Sequence, residues 1–319
     1  MVTNKEAGNM KVQRRGASMW FITLAAGAAL ILSSCGGGGG GTAAGMNGSI
    51  SGNVTKGPVG GATVTAYAIN GNGTMGSMIG SAVTDSAGNF NMSTGSHSGP
   101  VMLQMSGGNY KDEASGIVMA MHSGDIMTTV IPAIVSGGTM TGLQVNPITS
   151  MAQVMAQNMT GLMTMANITA ANVAVGSYFM VNDILHTMPM DPTVAGSGSG
   201  ATKDEKNYGM IIAAISQEAY DLSMPQSSGM VSAMMQDASD GVMNGKMGAT
   251  MISMNGMGGM GGGMMTSNMS TTAGTSGLAS AMASFMTNTA MNRSGIDTTD
   301  ADMVTLMTKL GSAPTQTIQ

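Results

Sequence analysis

Three hydrophobic patterns follow one another along the 319 residues. An apolar run from Trp20 to Leu32 comes first, behind the basic residues Lys11, Arg14 and Arg15. Period-two alternation then predicts strands at Ser49–Val54 and at Ala62–Ile69, where Val64, Ala66 and Ala68 share one face. Shorter strands are predicted at Ile79–Thr84, Phe90–Met92 and Val101–Met105. Turn clusters at Lys56–Gly61, Asn70–Gly73 and Asp85–Asn89 separate them, since Asp bonds its own backbone and Gly accepts positive φ. Several short strands at this spacing indicate a small antiparallel sandwich. The stretch 117–145 is ambiguous: Ile117–Met121 and Thr128–Val135 read equally as strands or as helix.

From Asn146 the period becomes helical. Asn146-Pro147 pairs a capping side chain with proline at the first helical position, and Ile148, Met151, Met155 and Met159 follow on one face. A second helix is predicted from Thr169, carrying Val173, Tyr178 and Val181 towards Ile184-Leu185 and stopped by Pro189 and Pro192. Thr202 with Glu205 forms a capping box. Behind it, Tyr208, Ile211, Ile212, Ile215, Ala219 and Leu222 make one apolar face. Met230, Met234 and Ala238 mark a fourth helix, ending near Gly241 or Gly245. Leu278, Met282, Phe285 and Met286 mark a fifth, and Thr299–Leu310 a sixth, stopped by Gly311. About six helices without strands predict an all-helical bundle as second domain.

The start of the chain has the three parts of a secretory signal: a basic segment, an apolar core of about a dozen residues and small residues before a cut site. That core is too short to span a bilayer comfortably as a helix. Leu32-Ser33-Ser34-Cys35 resembles the bacterial lipobox, whose cysteine is acylated and becomes the mature N-terminus. Cys35 is the single cysteine of the chain. The resemblance implies a lipid anchor at Cys35. Gly36 rather than Asp after it implies sorting to the outer membrane, with exposure to the periplasm or the cell surface.

Gly57-Pro58-Val59-Gly60-Gly61-Ala62-Thr63-Val64 and Thr84-Asp85-Ser86-Ala87-Gly88-Asn89-Phe90 resemble carboxypeptidase-regulatory-like modules of the prealbumin-like sandwich class over about 49–118. Ser106–Gly116 looks like a segment that recurs in bacterial lipoproteins of this architecture. Such modules act as stalks or accessory binding domains without catalytic residues. The expected organisation is a mixed α+β, multidomain chain. It comprises a signal peptide (1–34), a Gly-rich tether (35–47), a prealbumin-like β-sandwich (48–118), a connecting segment (119–145), a helical domain (146–246), a Met/Gly-rich linker (247–272) and C-terminal helices (273–312).

Composition narrows the function. Cleavage before Cys35 removes four of the 11 Lys+Arg and one of the 16 Asp+Glu, leaving a formal charge of −8. Such a sparse acidic surface, without a basic stripe, argues against nucleic acid as partner. It leaves the membrane, reached through the N-terminal lipid, and a protein or glycan whose identity the sequence does not give. His97, His122 and His186 share no ligand spacing, and Ser199 lies in a linker rather than a nucleophile elbow. Asp204 and Glu205 suit the positive end of a helix. Asp112, Glu113 and Asp125 offer oxygen ligands for Ca²⁺ without EF-hand spacing. The expectation is a non-enzymatic envelope protein with a structural or binding role.

Methionine is the compositional oddity, with 40 Met against 11 Leu. In the helices it fills Leu-like positions. Met254, Met257, Met260, Met264 and Met265 instead fall in a glycine run that offers no core. Three readings fit them: soft thioether ligands for Cu(I) or Ag(I), a chain-wide replacement of Leu by Met, or a surface that is oxidised reversibly. The first makes periplasmic Cu(I)/Ag(I) sequestration the alternative function.

Overall fold

A computed structural model describes residues 47–122, 124–254 and 267–319. The signal peptide, all but residue 47 of the tether, Cys35, and Met257, Met260, Met264 and Met265 lie outside the described residues. The chain is mixed α+β. Nine strands come first: β1 (Gly48–Val54), β2 (Thr63–Ile69), β3 (Met75–Val83), β4 (Asn89–Gly95), β5 (Gly99–Ser106), β6 (Asn109–Lys111), β7 (Val118–Ala120), β8 (Ile126–Ile134) and β9 (Thr139–Val145). Helices α1 (Pro147–Asn158), α2 (Met165–Phe179), α3 (Lys203–Asp221) and α4 (Ser228–Ala238) follow. The two-residue strands β10 (Val242–Met243), β11 (Lys246–Met247) and β12 (Thr250–Met251) precede α5 (Ser276–Thr287), α6 (Ala301–Leu310) and β13 (Gln316–Thr317).

The strands make two main sheets, ordered β4-β1-β9 and β3-β2-β5-β8, and β6 pairs with β7 as a hairpin. Ile50, Phe90 and Leu143 of the first and Val64, Leu103 and Met127 of the second join one buried cluster. All neighbours pair antiparallel except β1 and β9, which run parallel.

Two boundaries differ from the expectation. Strands continue past residue 118, because β8 and β9 complete the two sheets from within the segment read as a connection. Sequence left this segment undecided for a physical reason. Thr128, Thr129, Val130 and Ile131 are all buried, since one face of β8 packs Met127 and Ile131 into the cluster shared with the other sheet and the opposite face lies under α1 and α2. A strand covered on both faces shows no alternation. The strands and helices are also not separate domains: the described residues form one compact unit, and one apolar cluster runs from Ile50 to Ile318.

Asn146 caps α1 as predicted, with Thr149 completing a reciprocal capping box. The second helix starts at Met165 with Thr164 as cap, four residues before Thr169, and stops at Met180 in the left-handed region rather than at Pro189. Val173 is exposed, not apolar-face. In α3 the Thr202–Glu205 capping box is present. Here the predicted single apolar face is replaced by burial of every residue from Asn207 to Ala219, while Leu222 is exposed. α3 is the central helix, with α2, α4, α5 and α6 against it. The predicted all-helical part also contains strand pairs, since β10 pairs with β13 and β11 with β12. No helix among the described residues is long and apolar enough to cross a membrane.

Candidate functional site

The turn after β1 and the chain leaving β6 bring Lys56 to Asp112 and Glu113. Gly57 has φ +59°, and an added Cβ would run into the Lys111 carbonyl, so this close approach requires glycine. The Lys56 side chain is wholly buried. Its Nζ donates to Glu113 Oε2 at 2.8 Å and to Ser216 Oγ of α3, lies 3.8 Å from Asp112 Oδ2, and sits 5.2 Å from the centre of the Tyr110 ring. The Gly57 amide donates to Glu113 Oε1 at 2.6 Å, and Ser216 Oγ donates to Oε2 at 2.5 Å. Ser227, the cap residue of α4, donates to Asp112 Oδ2 at 2.5 Å, and Ser115 supplies its amide (2.9 Å) and hydroxyl (2.8 Å) to Oδ1.

Burial by itself pushes the Lys56 ammonium down, but Glu113 and Asp112 outweigh it and raise the pKa above the ordinary lysine value. Burial pushes Asp112 up. Lys56 and the hydrogen bonds from Ser227 and Ser115 reverse this and hold the carboxyl below its usual range. Lys56 and Asp112 are therefore charged at neutral pH, and each has partners. Three serines (Ser115, Ser216 and Ser227) and Tyr110 close the cluster between strands and helices.

Glu113 also borders a surface groove. One cavity of about 660 Å³ is lined by Gly57, Pro58, Tyr110, Glu113 and Asp191, among others. A second, of about 330 Å³, shares Gly57, Pro58, Glu113 and Asp191 and adds Met190, Pro192 and Ile212. The 188–193 segment reaches α3 because Gly209 has no Cβ, which would otherwise strike the Met190 carbonyl. Asp191 is held by the amide (2.8 Å) and hydroxyl (2.7 Å) of Thr193. The lining mixes proline, glycine and methionine with Tyr110, Asn109, the cationic Lys111 and the carboxyl groups of Glu113 and Asp191, a surface suited to binding.

A second acidic interior lies on another side of α3. Glu218 is only 8 % exposed, and its Oε2 is buried without a hydrogen-bond partner among the described residues. Burial first, then Asp221 and Asp237, push its pKa up to about 8. Asp237 of α4 accepts the amides of Asn244 (2.9 Å), Gly245 (2.7 Å) and Lys246 (3.2 Å) at Oδ1, while Oδ2 is buried without a partner. Burial raises it to about 6 against the pull of those amides. Glu218 lines a cavity of about 240 Å³ between α3 and α5.

The structure places the sequence-predicted residues as follows. Met254 is 8 % exposed and belongs to the main apolar cluster, and its amide bonds the Ser267 carbonyl at 3.0 Å. This corrects the reading of that position as coreless linker, since β11, β12, Ile252 and Met269 give the segment a packed base. Asp112 and Glu113 do not form a Ca²⁺ site with Asp125. The Lys56 ammonium occupies the place a cation would take, and Asp125 accepts from Ser232 at 3.2 Å. His97, His122 and His186 lie apart in loops and turns; His186 bonds Asp183 at 2.9 Å. Ser199 is exposed in a turn. Among the described residues no three His, Cys, Asp or Glu side chains group as metal ligands.

Sequence reasoning missed Lys56, Ser216, Ser227, Glu218 and Asp237. One signal was present: Ser216 and Glu218 interrupt the longest apolar helix pattern at positions that burial on all sides turns inward. No protein-family model and no curated protein matches this chain.

Proposed function

We propose that this chain is a non-enzymatic, lipid-anchored protein of the cell envelope, attached to the outer membrane through Cys35. Its body presents the groove around Pro58 and Asp191 to a protein or glycan partner. The observation that carries the binding role is the closed Lys56–Asp112–Glu113 cluster beside that groove. It ties the β1–β2 turn to α3 and α4, so the groove walls are fixed before a partner arrives, and preorganisation lowers the ordering cost of binding. The two sheets of three and four strands, with both halves of the matched motif in contact, support a prealbumin-like sandwich. Thr84 of the second half donates to the Val59 carbonyl at 2.7 Å and accepts from the Ala62 amide at 2.9 Å in the first.

The anchor is tested by membrane fractionation and radiolabelled-palmitate incorporation with Cys35→Ala. Two or more acyl chains give stable attachment where one is marginal. The variant is expected to lose the label and to be left unprocessed or mislocalised. Full membrane retention of a processed Cys35→Ala protein overturns the reading. The groove is tested in cells with a photo-crosslinker at Pro58 and, as control, at exposed Val135. Adducts are expected at 58 only, and equal labelling at both positions removes the groove from the proposal.

A further inference from the structure

We propose that the cavity between α3 and α5 binds a small organic ammonium, with Glu218 holding the charge and Leu222, Met254 and Ala281 holding the alkyl part. Four observations lead there. The cavity, about 240 Å³, has room for a compact organic molecule. Its wall combines two carboxyl groups, Glu218 and Asp221, one turn apart on α3, with the apolar Leu222, Met254 and Ala281. Glu218 Oε2 is buried and makes no hydrogen bond. No cationic side chain among the described residues pairs with Glu218, Asp221 or Asp237. A buried carboxyl in that state lacks the partner that Lys56 supplies to Glu113 elsewhere in the same fold.

Size and lining select the class. A bare divalent ion needs six or more oxygen ligands or a dense carboxylate set, which this wall does not offer. An ammonium on a short alkyl chain satisfies the carboxyl oxygen and covers the apolar side together. The charge state supports the fit. Empty, Glu218 holds its proton to about pH 8 because of burial and because Asp221 on α3 and Asp237 on α4 face it; α5 and the Met254 and Ser267–Ser270 wall bring no titratable group. A bound ammonium displaces that proton, so binding strengthens as pH rises towards 9.

The test uses the full chain from residue 36, n-butylammonium as probe and 1-butanol as its uncharged match, followed by calorimetry and by the ¹³C-methyl signal of Met254, assigned with Met254→Leu. Butylammonium is expected to bind at pH 9 at least about tenfold more tightly than butanol, to weaken by a similar factor at pH 6, and to shift the Met254 methyl. Glu218→Gln is expected to abolish the preference for the charged probe. Equal binding of the two probes, binding indifferent to pH, an unmoved Met254 signal, or Mg²⁺ or Ca²⁺ displacing the amine each overturns the proposal. The comparison of probes on the unmodified protein stands even where Glu218→Gln fails to fold. None of these outcomes bears on the Pro58 groove or on Cys35.

Discussion

Ser216 and Glu218 are two residues apart on α3, about 200° around the helix, and face two acidic interiors of opposite design. On the Ser216 side, two buried carboxylates share one buried ammonium, and serine hydroxyls and amides take up their remaining oxygens. On the Glu218 side, two buried carboxyls have no cation among the described residues, and each keeps an oxygen without a partner there. The first arrangement is complete within the chain and serves cohesion. The second is complete only with a proton or a ligand, which is why it marks a site. Burial of charge alone does not separate structure from function; the supply of partners does.

The most damaging way to break the comparison is to remove one half of the closed cluster together with its sheets. A fragment 47–118 keeps Lys56, Asp112 and Glu113 but loses β8, β9, Ser216 and Ser227. Although its strands are local, it is expected to show no cooperative urea transition and to bind hydrophobic dye. A sharp transition would mean that the cluster closes without the helices.

Lys56→Met in the full chain leaves Asp112 and Glu113 buried without their cation. The expected loss is about 3–5 kcal/mol in denaturant unfolding. A change below about 1 kcal/mol would put the two interiors in the same class.

The open interior predicts a pH dependence of opposite character. Glu218 moves from 4.5 to about 8 on folding and Asp237 from 3.8 to about 6. The folded state therefore binds more protons than the unfolded state in this window, and stability falls as pH rises from about 4 to 8. The expected drop is on the order of a few kcal/mol, read from urea midpoints at pH 5 and pH 8.5. Glu218→Gln should flatten most of it. A slope unchanged by that substitution removes Glu218 as its source.

The smallest effects are expected at methionines. Met151, Met234 and Met282 are fully buried in helices, and each Met→Leu should cost under about 1.5 kcal/mol as a volume-conserving swap. Met254→Leu belongs in the same range, because Met254 packs like the others. Cu(I) chelator competition, with and without Leu at 254, 257, 260, 264 and 265, checks the thioether reading. Equal weak binding by both proteins ends it.

Much of this fold was legible in local patterns. β1 to β5, the Asp85–Asn89 turn, the Asn146 and Thr202 caps and the faces of α4 and α5 follow from alternation, helical spacing and capping chemistry. Those signals act over a few residues, so one sequence contains them whole. Three departures share one cause. β8 was ambiguous, α3 was assigned a solvent face and Met254 was assigned no core, because each is covered by elements distant in sequence. The candidate sites were less legible still. Asp112 and Glu113 were visible as acids, but their cation stands 57 residues away from Glu113 and their serine partner on α3 another 103 away.

By itself the sequence determined the strand-then-helix order, where most elements start and stop, the acidic balance and the single cysteine at a lipobox-like site. Each depends on neighbours within a few positions. Only the tertiary structure decided that sheets and helices share one core, that Lys56 pairs with Asp112 and Glu113, and that Glu218 is buried with no cation among the described residues. Those outcomes depend on which surfaces meet, and burial turns an ordinary carboxylate into either half of an ion pair or a vacant partner for one.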